Sequence, residues 1–184
     1  MPSGFLVLYG VPAGHRDSMM SAPIDTPMDP SSTRTISIVN QSGRRAPRQL
    51  IHRALEAVFS QHPTRSGDVC VLLTDDAEIQ DLNARFRNLD EPTDVLTFPA
   101  PEGEMLGDIA ISIPYAERQA RARNVSLQQE IGFLVIHGGL HLLGFDDETE
   151  DDKRVMVDEM NRAAAAAGLK QDHEWASLLH GDNR

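Results

Sequence analysis

One cysteine in 184 residues, Cys70 within "VCVLL", excludes an internal disulfide. A buried structural thiol in a reducing cytoplasm is the simplest reading of it. No apolar run approaches the ~20 residues a membrane helix needs, so no membrane partner is expected. The N-terminal "FLVLYGVPA" resembles the core of a signal peptide, but it is short and no Lys or Arg precedes it. Secretion is therefore rejected, and a cytoplasmic location is expected. Basic charge is scarce as well: 17 Lys and Arg stand against 28 Asp and Glu, a net charge of −11. That balance argues against a general nucleic-acid binder, and DNA is not an expected partner. The deficit is uneven, because residues 124–184 alone contribute −7. The middle of the chain carries "GRRAPR", "RFR" and "ERQARAR", which leaves room for a local basic groove. There are no internal repeats.

What is present fits a globular protein, with 40% hydrophobic and 24% charged residues and a length suited to one domain. Residues 1–33 mix Met, Pro, Ser and Gly without periodicity and read as a disordered or poorly ordered extension, with Met28 as an alternative start. Residues 34–184 form the expected domain. Strand signals occur at 35–39, 68–73, 94–98 and 107–113. The first helix sets Leu50, Ile51, Ala54, Leu55, Val58 and Phe59 on one stripe. The second opens on Asp75 with Glu78 three residues later and should bury Ile79, Leu82 and Phe86. Pro114 begins a third, running to about Arg123. Ser126 and Gln129 make a capping box that opens a fourth, apolar nearly all round, hence buried and central. A fifth runs from about Glu150 to Ala166 and stops at Gly168. The order suggests an α+β or α/β layered fold: a small mixed four-stranded sheet packed with about five helices.

The central helix ends in "HGGLHLLGFDD", residues 137–147. A spacing of four puts His137 and His141 about 40° apart on one face, so both imidazoles can reach one divalent ion. Gly144 can take the left-handed conformation that ends the helix and swings the chain back. Asp147 then becomes the third ligand, in a pattern H-x-x-x-H-x-x-G-x-x-D. The bland reading, two partner-bonded core histidines, has to explain two titratable rings inside an otherwise apolar helix.

With these residues in view, the chain resembles the YbeY family, bacterial rRNA maturation factors described as metal-dependent, single-strand-specific endoribonucleases. Two blocks carry the likeness, "LNARFRNLDEPTDVLTFP" (82–99) and "FLVIHGGLHLLGFDD" (133–147), with "LGDIAIS" (106–112) between them. The resemblance spans roughly residues 35–170. It implies an α+β fold with a zincin-like metal-binding central helix. It also implies endonucleolytic hydrolysis in rRNA maturation (16S 3′-end processing) and in ribosome quality control. The implied partners are single-stranded rRNA precursor and the ribosome or its small subunit, and the implied cofactor is one divalent ion, Zn²⁺. His137 and His141 carry over as ligands. The family's third histidine is replaced by Asp147, with Asp146 a weaker candidate. A carboxylate is an accepted partner of two histidines, and its added charge should shift preference somewhat toward harder ions. The family's functional arginine corresponds to Arg87, whose guanidinium fork suits two phosphate oxygens. The plain alternative is an arginine favoured by the helix's negative pole.

Other charged residues receive blander readings. Arg85 is expected to be solvated, and Arg118, Arg121 and Arg123 to form a solvated helix surface, with RNA contact as the sharper option. Thr93 and Asp94 order a turn. Glu130 shares the stripe of His137 and can partner an imidazole, although solvation in the first helical turn is the simpler expectation.

A zincin peptidase has Glu beside its first ligating histidine, as general base; here that position is Gly138. RNA supplies its own 2′-hydroxyl nucleophile and chiefly needs charge stabilised at phosphorus, so the missing glutamate disfavours a metallopeptidase but not a nuclease. The remaining alternative is a ribosome-associated binding protein with a structural metal. A fourth protein ligand, for instance His173, would support it.

Overall fold

The computed structural model describes residues 34–63, 67–101 and 105–175. The expected extension, Met28 included, lies outside these. Four strands, β1 (Ile36–Asn40), β2 (Asp68–Thr74), β3 (Val95–Pro99) and β4 (Met105–Ser112), form one mixed sheet in the order β1-β2-β4-β3. β1, β2 and β4 are parallel; β3 pairs antiparallel with β4 and is an edge. The described residues also form five helices: α1 (Arg48–Gln61), α2 (Asp76–Arg87), α3 (Ile113–Ala122), α4 (Leu127–Leu142) and α5 (Glu150–Ala166). The architecture is α+β, as expected.

Alternation along the strands divides the core in two. Val69, Val71, Leu73, Val95, Ile109 and Ile111 face α1, α4 and α5, whose Ile51, Leu55, Val58, Leu134, Leu140 and Met160 complete the larger cluster. Leu72, Leu96 and Ala110 face the other way, onto Ile79 and Leu82 of α2. The expected stripe on α1 is buried in full. Phe86 on α2 is not: it is 45% exposed, a correction to the expected stripe. At its last turn α2 reaches the sheet edge, where Phe86 meets Phe98 of β3, ring centroids 5.1 Å apart at 68°.

Capping explains the helix starts. Asp75 accepts from Glu78 N, Ser126 from Gln129 N and Ser112 from Tyr115 N. Gln129 does not close the expected box; its side chain reaches instead to the backbone of Lys170. The complete capping box belongs to α5, between Thr149 and Asp152. α4 is buried on nearly every side, as its composition requires. Two glycines let it pack so closely: a Cβ on Gly138 would meet Ile109 of the sheet at 2.9 Å, and one on Gly139 would meet Leu55 of α1 at 3.0 Å.

Candidate metal centre

His137 and His141 stand one turn apart near the end of α4, with Nε2 atoms 3.0 Å apart and rings nearly perpendicular at 88°. Leu143 ends the helix and Gly144 follows with φ of 92°, a left-handed conformation that glycine adopts without a Cβ penalty. The chain turns back, and Asp147 arrives beside the histidines. Its Oδ2 is 3.8 Å from His137 Nε2, and its Oδ1 is 3.8 Å from His141 Nε2. One ligand atom from each residue falls within 4.8 Å of the others, the only such group of three among the described residues. Asp146 is exposed, and its Oδ1 accepts from the Asp147 backbone N–H at 2.8 Å, so it shapes the turn rather than joining the cluster.

The donor chemistry fits a divalent ion. His141 Nδ1 lies 2.9 Å from the carbonyl oxygen of Phe145, which can only accept, so Nδ1 carries the proton. In the neutral ring Nε2 then keeps its lone pair toward His137 and Asp147, the tautomer a metal ligand requires. Two imidazole nitrogens and a carboxylate, two of the three residues buried, are an accepted set for zinc, with no fourth ligand grouped with them among the described residues. His173 does not supply one; it is exposed and its Nδ1 lies 3.5 Å from Asn161.

Behind the histidines stands a group that the sequence did not signal. Trp175 packs on His137 with ring centroids 5.2 Å apart and donates its Nε1–H to Glu130 at 3.1 Å. Glu130 is 1% exposed, which corrects the expectation of solvation. Burial pushes its carboxyl above the ordinary range, against the pull of Arg123. Arg123 is also corrected: it is half-buried, bonds Asp172 at 2.5 Å and lies over the Trp175 ring. Arg118 pairs with Asp76 at 2.7 Å, leaving Arg121 as the exposed member of that trio with no ion pair among the described residues. Thr93 and Asp94 do order the turn into β3, for Asp94 accepts from Thr93 Oγ1, Val95 N and Gln119 Nε2.

Arg87 is not part of the cluster. It ends α2 on the opposite sheet face, exposed, and forms no ion pair among the described residues. Both positions nevertheless belong to one end of the sheet. Gly107 of β4 sits so tightly that a Cβ would run into Phe98 O on β3 and lie 2.8 Å from Leu142, the neighbour of His141. Arg45, Arg48 and Arg53 line a hollow at the start of α1 and α4, the far end from the histidines. Asp108, next to Gly107, is 5% exposed with neither carboxylate oxygen hydrogen-bonded among the described residues, and burial pushes it up to about 6. Cys70, its register partner on β2, is buried and pushed up to about 12 by desolvation and then by the Asp108 charge, consistent with an inert thiol.

The family model described as "YbeY: Endoribonuclease YbeY" matches residues 34–168. The chain belongs to the YbeY family. Endoribonuclease YbeY of Heliobacterium modesticaldum is 39% identical over 142 residues, covering 69% of this chain and 83% of that one. The Gloeobacter violaceus protein of the same name is 43% identical over 121 residues, 60% of this chain and 61% of its own length. Among solved structures, the solution structure of TM1509 from Thermotoga maritima matches with a TM-score of 0.54 at 30% identity, over 72% of this chain and 89% of that one. For this YbeY-family chain the described helices include none long and apolar enough to cross a membrane.

Proposed function

We propose that this chain is a metal-dependent endoribonuclease of rRNA processing, as its family membership implies, and that α4 is a zincin-like metal-binding helix. His137, His141 and Asp147 would hold the ion, with Zn²⁺ the expected metal and the added carboxylate shifting preference somewhat toward harder ions. The observation that carries this reading is the His141 tautomer, fixed by Phe145 so that a lone pair faces His137 and Asp147. When bound, a divalent ion supplies Lewis-acid stabilisation of charge on the phosphate oxygens. Arg87 would grip a phosphate through its guanidinium fork and hold the strand in register. Asp147 balances charge at the site, and Trp175 closes it from behind.

The domain is taken to run from residue 34 onward. A single-stranded rRNA precursor, 16S 3′-end processing, ribosome quality control, docking on the small subunit and a cytoplasmic location complete the proposal. A metallopeptidase is disfavoured on a further ground: a Cβ at position 138 would meet Ile109 of the sheet at 2.9 Å, so a glutamate general base there would not fit without displacing that contact. The open fourth position among the described residues speaks against a purely structural metal.

Cleavage of a labelled single-stranded rRNA fragment tests the reading, with wild type, H141A and R87A run side by side with and without Zn²⁺ or Mn²⁺. Loss of cutting in both variants, each still folded, supports these roles. Equal cutting by all three would end them.

A further inference from the structure

Phe86 is a costly residue to leave in water. At 45% exposure it is the most exposed large hydrophobic among the described residues, and Leu89, 36% exposed, follows three positions later. Scattered apolar residues on a surface need no special account, but this one is held in a built arrangement. Its ring meets Phe98 of the edge strand at 68°, which fixes its orientation. The Arg85 guanidinium lies over the ring at 5.4 Å, and Arg87, the residue after Phe86, is exposed and forms no ion pair among the described residues. An oriented aromatic ring with an arginine on either side of it in sequence, in a net-acidic chain, is complementary to a stacked base flanked by phosphates, since bases stack on aromatic faces while guanidinium groups neutralise the backbone. Its position agrees: Phe98 O and Leu142, the residue after His141, both press on Gly107, so the platform and the histidine pair share one end of the sheet.

We infer that Phe86, braced against Phe98 and flanked by Arg85 and Arg87, stacks on a base of the single-stranded RNA beside the phosphate that Arg87 holds. This rests on the endoribonuclease reading and names how its substrate is gripped. Stacking on one ring tolerates any base, so the contact adds affinity for unpaired strands without selecting sequence. A base inside a duplex is already stacked and cannot use it.

The test is binding of the full chain to fluorescein-labelled 2′-O-methyl RNA decamers by anisotropy, with strand integrity checked on a gel after each titration. Decamers carrying one abasic nucleotide at successive positions are run in parallel. F86A and F86L should bind the intact decamer about five- to tenfold more weakly, the lower part of the range for loss of one base–aromatic stack, while F86Y stays within about twofold of wild type. Leu keeps an apolar contact with Phe98 but has no aromatic face, so F86L decides the matter even if F86A fails to fold. At one abasic position wild type should lose a similar factor, and F86L should lose nothing further. Equal binding by wild type and F86L, or losses from F86L and the abasic site that simply multiply, would overturn the stacking role. That failure is separable from failure of the underlying reading, because cleavage by wild type, H141A and R87A is scored in a separate assay.

Discussion

Asp147 carries the consequence of one exchange in the proposed ligand set. A carboxylate brings a negative charge where the family pattern has an imidazole, and it stands 3.8 Å from both histidines. D147A should lower metal affinity by more than the roughly 10–100-fold typical of losing a hydrogen-bonded support residue, as measured by competition with a chromogenic chelator. Full stoichiometry at unchanged affinity would remove it from the ligand set. Asp108 carries a second consequence. Its folded value of about 6 lies above the ordinary 3.8, so between those values the native state binds more protons than the unfolded chain. Its contribution to stability is therefore favourable in acid and lost as pH rises through about 6. D108N should be more stable than wild type at pH 7.5 by roughly 1–3 kcal/mol, with the advantage shrinking toward pH 4; urea midpoints at both pH values check it.

At the scale of elements, α4 is positioned by what its glycines omit. G138A would put a methyl group 2.9 Å from Ile109, pushing the helix off the sheet just where His137 and His141 are set. The expected cost is about 1–3 kcal/mol, read as a lower thermal midpoint, and metal affinity should fall with it. Much of this element was legible in sequence. Capping residues, apolar stripes and the glycine exit act over a few residues, so α4, its start at Ser126 and its turn at Gly144 could be read directly. The convergence of His137, His141 and Asp147 was legible for the same reason, being a matter of one helix and one turn. Contacts between distant parts of the chain were not. Glu130 is buried because Trp175, 45 residues away, covers it, and Arg123 is held by Asp172, 49 residues away. The exposure of Phe86 depends on where the sheet stops, which no helical period records.

For the whole molecule, a net charge of −11 means that RNA binding has to come from a few local cations. Affinity for single-stranded RNA should fall as salt rises, with a slope of about −0.7 per phosphate neutralised. R87A should reduce the slope by about that amount, whereas R121A should leave it nearly unchanged, in titrations across several salt concentrations. Trp175 has an effect at this scale too. It is the chain's one tryptophan, and its indole rests 5.2 Å from the ring of His137 while donating to Glu130. All indole fluorescence from the protein therefore originates beside a proposed metal ligand. Emission excited at long ultraviolet wavelength should change on titration with Zn²⁺ and reverse with chelator, while W175F stays dark, so the unlabelled protein reports the occupancy of its own centre.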